Sequence, residues 1–230
     1  MFHWLEKNPF FFTVAVFLVI AFAGLIMIVP NFVQQAQPLV GTKPYTVLEL
    51  AGRQVYIKND CNACHSQLVR PFKNETDRYG AYSKSGEYAY DRPFLWGSKR
   101  TGPDLMRVGN YRSTDWHENH MYDTRGTVPG SIMPNYKFLF VNTTDIDTAW
   151  AEAYTVQQIF AVPYNKDIPM RDGSKAQVKL AATVEGGRAD ALAEAKLITA
   201  DMKTKSVKEA VEAGTVPEIV ALIAYLNRLK

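Results

Sequence analysis

Apolar residues follow several distinct rhythms along this chain, and each rhythm predicts a different element. From Phe10 to Val29 the sequence is apolar with only Thr13 and Gly24 interrupting it. A helix of that length would be about 30 Å long, the thickness of a bilayer's hydrocarbon core. Pro30 marks its expected end, and Trp4 falls where an interfacial aromatic belongs. Further on, Leu48, Ala51, Gly52, Val55 and Tyr56 recur at helical spacing behind the pair Thr46 and Glu49, which predicts an amphipathic helix opened by a capping box. The same pairing, Thr215 with Glu218, precedes a stripe of Val216, Ile219, Val220, Ile223 and Leu226 near the C-terminus. Ala149, Ala153, Val156 and Phe160 share one face of a helix predicted over 145–162, with Pro163 ending it.

Two stretches lack such periodicity. Residues 66–143 are rich in Gly, Pro and aromatics and predict long loops, within which residues 70–112 mix basic side chains with Phe72, Tyr79, Tyr82, Tyr88, Tyr90, Phe94, Trp96 and Tyr111. These rings either dock on a partner or pack on a bound group and on each other. Residues 165–214 are rich in Ala, Lys and Glu and predict a helical, solvent-facing insertion. The fold class is therefore mainly α: an anchor over 1–36 with one transmembrane helix at about 10–30, then a domain over 37–230.

The net charge of +3 is too small, and too evenly spread, for a nucleic-acid footprint. Ala21-Phe22-Ala23 has the small-x-small pattern of a signal-peptidase site, but the apolar run continues through Leu25–Val29, so a retained anchor is expected. Lys7 precedes the span and Asn31–Thr42 carries no charge, which favours a cytoplasmic N-terminus.

Both cysteines lie in Cys61-Asn62-Ala63-Cys64-His65, the attachment signature of a c-type haem. The two thiols reach the two vinyl groups of one porphyrin, and the imidazole that follows turns under the ring toward the iron. A thioredoxin-like pair would sit at the end of a strand and would not need the histidine. A zinc site would need four ligands, and His117 and His120 are spaced too closely to complete one. A disulfide across two residues would close too small a loop to add much stability. Haem is attached on the outer face of the membrane, so residues 31–230 are expected in the periplasm.

An electron-carrying haem needs a sixth ligand, and a methionine gives a comparatively high potential. Met133, followed by Pro134 in a tight loop, is the first candidate, with Met106 and Met121 as competitors. His117 and His120 would instead give a bis-histidine site, or serve as loop histidines bonded to the backbone or to haem propionates.

Gly52-Arg-Gln-Val-Tyr56 and Ala224-Tyr225-Leu226 resemble the two crossing helices of class I cytochromes c. Gly102-Pro103-Asp104-Leu105 resembles that fold's Gly-Pro-x-Leu element, in which the carbonyl of the proline, here Pro103, accepts the proton of the proximal imidazole. The domain is thus expected to be class I cytochrome c-like with long loop insertions. His65-Ser-Gln-Leu-Val-Arg-Pro-Phe72, Arg78-Tyr-Gly-Ala-Tyr82, the block from Asp91 to Leu105, and Trp116-His117 together resemble the membrane-anchored monohaem subunit, subunit II, of cbb(3)-type cytochrome c oxidases.

That resemblance implies an electron-transfer role in a haem-copper oxidase of a bacterial inner membrane. Electrons would come from a dihaem cytochrome c subunit or a soluble cytochrome c. They would leave for the low-spin haem of the catalytic subunit, where oxygen is reduced and protons are pumped. It also implies a calcium ion at the junction with the catalytic subunit, for which Ser98 is the matching position. Lys99 and Arg100 would meet haem propionates or the facing subunit, or simply be solvated. The anchored cytochrome of nitric oxide reductases is the nearest alternative, and a haem sensor or a membrane-anchored thiol oxidoreductase would be alternatives of a different class.

Overall fold

The computed structural model describes residues 3–33 and 37–230, which separate into two compact units, one reaching to Gln37 and one from Pro38 to Lys230. The boundary expected at residue 36 lies outside the described residues. The first unit holds helix α1 (His3–Lys7) and helix α2 (Pro9–Val33). Pro9–Pro30 of α2 is long and apolar enough to cross a membrane. Pro30 does not end the helix as expected. Its fixed φ is already helical, so the missing N–H costs one bond near the end and the chain winds on to Val33.

The second unit is built on two crossing helices, α3 (Val47–Lys58) and the last helix of the chain. Thr46 caps α3, its hydroxyl accepting from Glu49 N while the Glu49 carboxylate accepts from Thr46 N at 2.9 Å. Beyond α3 come the single turn α4 (Cys61–Cys64) and the short α5 (Lys73–Tyr79). Next are α6 (Thr114–Tyr122), the turn α7 (Thr124–Thr127) and α8 (Ile146–Phe160). A two-residue hairpin, β1 (Ile168–Pro169) on β2 (Lys175–Ala176), leads to α9 (Val184–Ala200), α10 (Lys205–Glu212) and α11 (Glu218–Arg228).

Gly52 of α3 sets the crossing with α11. A Cβ there would lie 1.8 Å from the Ala221 carbonyl oxygen and 3.0 Å from Tyr225 Cβ, so only glycine lets the two backbones touch. Helix α11 is apolar on more than one stripe: every residue from Glu218 to Leu226 is buried, because α3, α6 and α9 close on it from different sides. Its expected capping box does not form. Pro217 takes the cap position, Glu218 N donates to the Asn142 carbonyl at 2.9 Å, and the buried Glu218 carboxylate accepts from Lys58 Nζ and Asn142 Nδ2 instead.

Two further expectations are corrected. Residues 66–143 include α5, α6 and α7 and are not loops throughout. The 165–214 segment is not a solvent-facing appendage, since Ala191, Ala195, Met202, Val207 and Val211 are buried in the common core and α9 packs on α3, α8 and α11. Its small alanines let α9 approach closely while giving little hydrophobic signal. The segment also reaches α6: both carboxylate oxygens of the buried Glu118 accept backbone N–H groups, from Lys203 and Thr204, at 2.7 Å each. Thr204 is the N-cap of α10 and Lys203 the residue before it, so Glu118 holds the entry to that helix from a distance.

Candidate haem site

The site grows from the end of α3. Asp60 adopts the left-handed conformation (φ 52°), which ends the approach helix and starts the single turn carrying Cys61 and Cys64. The turn closes when His65 N donates to the Cys61 carbonyl at 2.9 Å. Both thiols are free, Cys61 half-buried and Cys64 exposed. Burial pushes the Cys61 thiol up to about 12, the opposite direction from the lowered value of a reactive Cys-x-x-Cys thiol.

His65 Nδ1 lies 2.8 Å from the Pro103 carbonyl oxygen. A carbonyl only accepts, so Nδ1 carries the proton and the Nε2 lone pair is left for a ligand. Burial lowers the imidazole's basicity, with the Pro103 bond and Asp104 acting the other way. Gly102 makes room for the ring, because a Cβ there would stand 2.3 Å from His65 Cε1 and 2.7 Å from Nδ1. Gly102→Ala is accordingly expected to break the Pro103 contact and displace the imidazole. The check is the haem absorption spectrum of the variant, which should lose the low-spin form if His65 is the ligand.

The strand-like run from His65 to Val69 is fastened on several sides. Tyr88 Oη donates to the Gln67 carbonyl at 2.7 Å and Tyr225 Oη to Gln67 Oε1 at 2.8 Å. Leu105 N donates to the Ser66 carbonyl at 2.9 Å. Asp104, fully buried, accepts from Ser66 Oγ at 2.7 Å, from Leu68 N at 2.8 Å and from Met106 N at 2.9 Å.

Arg100, expected to meet a propionate or a facing subunit, is committed inside this network. Its guanidinium donates to Ser66 Oγ at 2.6 Å, to the Leu68 carbonyl at 2.7 Å and to Glu75 Oε2 at 2.8 Å, and it lies 3.3 Å from Asp104 Oδ2. Glu75 is held further by Arg70, and the Arg100 bond is the main cause that lowers its carboxyl to about 2. Nothing in the sequence pattern pointed to Glu75.

Met133 is half-buried at the margin of the core, on a loop docked against the end of α6. Tyr136 N donates to the Met121 carbonyl at 2.8 Å, Thr124 Oγ1 to the Pro134 carbonyl at 3.0 Å, and Thr124 N to Asn135 Oδ1 at 2.9 Å. Thr124, fully buried, carries no sequence signal because one threonine at the head of a four-residue turn sets up no periodicity. Met106 and Met121, the competing candidates, are buried members of the hydrophobic core. His117 and His120 sit one turn apart on α6.

Ser98 is exposed, and no cluster of three or more potential metal-binding side chains occurs among the described residues. Calcium needs six to eight oxygen ligands, so this chain would supply a minority of them at Ser98. The aromatic stretch divides. Tyr88 is buried and Tyr90 half-buried, while Phe94 and Trp96 stack face to face at 4.5 Å with Phe94 half exposed.

The donor set fits a haem: two free thiols on one turn, an imidazole with a fixed tautomer, and a glycine that leaves its ring space. A family model described as cytochrome C oxidase, mono-heme subunit/FixO matches residues 2–230. A search of curated proteins finds no match. With the match running essentially from end to end, the chain belongs to the FixO family, the mono-haem subunits of cbb3-type cytochrome c oxidase.

Proposed function

We propose that this oxidase subunit carries one covalent haem c on Cys61 and Cys64, with His65 and Met133 as axial ligands, and relays electrons into the catalytic subunit. The bound haem supplies the one-electron carrier; the chain's residues hold it and set its surroundings. The observation that carries the reading is the 2.8 Å contact of His65 Nδ1 with Pro103, beside two free thiols, because it leaves Nε2 unprotonated. Met133 is favoured over Met106 and Met121 because it is the one of the three outside the buried core, on a loop with its own clamp.

In this reading α2 anchors the chain in the bacterial inner membrane with its N-terminus in the cytoplasm, and residues 37–230 form a periplasmic haem domain. The electron donor is a dihaem cytochrome c subunit or a soluble cytochrome c, and the acceptor is the low-spin haem of the catalytic subunit. Oxygen reduction and proton pumping take place in that partner. Arg100 acts as a structural cation under the Ser66–Leu68 backbone and not as a propionate partner. A calcium at Ser98 would need carboxylates from the catalytic subunit.

The intact mass of the purified chain, with a pyridine haemochrome spectrum, tests attachment. The expected mass is that of the chain plus one haem, with Cys61→Ser and Cys64→Ser together giving a colourless chain. Free thiols on a colourless wild-type chain would overturn the reading. Met133→Ala should abolish the methionine-to-iron charge-transfer band; if the band persists, another residue is the sixth ligand.

A further inference from the structure

Two imidazoles on α6 each carry a buried ring nitrogen without a partner among the described residues. His117 is buried and its Nε2 has no hydrogen-bond partner among the described residues; the buried Nδ1 of the half-buried His120 has none either. Burial makes both rings less basic than a free imidazole. Burial lowers His117 to about 4, with His120 and Arg112 adding. His120 is lowered by burial first and then by the charges of His65 and Arg112.

The end of α6 that carries His120 is tied to the Met133 loop. Thr124 Oγ1 bonds the carbonyls of both His120 and Pro134 at 3.0 Å, and the next residue, Met121, accepts from Tyr136 N at 2.8 Å. His120 is therefore on the turn of α6 to which the Met133 loop is clamped. Its ring is not free to turn away, because Trp116 stacks on it at 4.5 Å and 18°, and the Arg112 guanidinium covers Trp116 at 4.2 Å. A buried ring nitrogen this constrained needs a partner, and the Met133 thioether, on the loop clamped to the same turn, is an acceptor.

We propose that His120 is a positioning residue on the methionine side of the haem, its ring N–H hydrogen-bonding the Met133 sulfur when that sulfur is on the iron. This rests on the haem reading above. Donation to the sulfur draws electron density from the thioether, weakens it as a ligand to oxidised iron, and so favours the reduced state. The Trp116 stack aims the ring, and the Thr124 clamp fixes the loop it bonds.

The test uses the full-length, haem-loaded chain in detergent. His120→Phe keeps an aromatic ring against Trp116 and removes the N–H; His120→Gln keeps an N–H donor. Each variant is titrated spectroelectrochemically and its methionine-to-iron charge-transfer band recorded. In the Phe variant the oxidised-to-reduced ratio at the wild-type midpoint should rise about fivefold, the worth of one net hydrogen bond, with a shifted band. The Gln variant should stay within about twofold of wild type. Equal ratios and bands in wild type and Phe variant, or the same change in both variants, would overturn the proposal while leaving the haem reading standing. A colourless wild-type chain would overturn both.

Discussion

Replacing Arg100 with leucine is expected to destabilise the protein by about 3–5 kcal/mol near neutral pH, because it leaves Glu75 and Asp104 buried without their shared cation. Their side chains are 4% and 0% exposed, against 20% for Arg100. Arg70 still reaches Glu75, but from the surface, and cannot replace the bonds to Ser66 Oγ and the Leu68 carbonyl.

The same variant should change the acid sensitivity. Glu75 has a native pKa of about 2 against an ordinary 4.5 in the unfolded chain, so its contribution is complete above about pH 4.5 and lost as the pH falls toward 2. Wild-type stability should therefore fall steeply over that window and the variant's less steeply. Urea unfolding at a series of pH values measures both quantities. Parallel curves for the two proteins would show that Arg100 is not what holds the Glu75 carboxyl down.

The second large effect is expected at Gly52. Valine there would drive a side chain into the Ala221 carbonyl, which lies 1.8 Å from the ideal Cβ position. The neighbour is backbone of a helix buried all round, so α3 and α11 must separate, at a cost of about 3 kcal/mol or more. Gly52→Ala makes the sharper comparison: in an exposed helix this change would stabilise by about 1 kcal/mol. Here both variants should lower the thermal midpoint, valine more than alanine, as followed by circular dichroism. A rise with alanine would mean that the two helices are not in backbone contact.

Sequence periodicity revealed the elements whose buried faces are apolar. Leu48, Ala51, Val55 and Tyr56 marked α3, and the residues around Ile219 and Ile223 marked α11. It failed for α6, whose buried residues are His117, Glu118 and Met121, so the inward face reads as polar. Glu118 is buried because it bonds N–H groups of Lys203 and Thr204, far along the chain, which no local pattern reports. The same blindness hid the partners of Arg100: the charge was visible, but Glu75 and the Leu68 carbonyl were not. Pro103 was legible because the Gly-Pro pair is a motif. The reason for Gly102, the space it leaves for the His65 ring, appears only in three dimensions.

The α3–α11 crossing also governs the order in which the molecule is completed. Gln67, just past the Cys61–His65 turn, is bonded by Tyr225 at a separation of 158 residues, and Lys58 by Glu218 at 160. A chain delivered from its N-terminus thus exposes its two thiols long before the helix that seals the fold behind them exists. During that interval Cys61, half-buried in the folded protein, is without the helix that encloses it. The last dozen residues thus supply the contacts that close the domain at both ends of the Cys61–His65 turn.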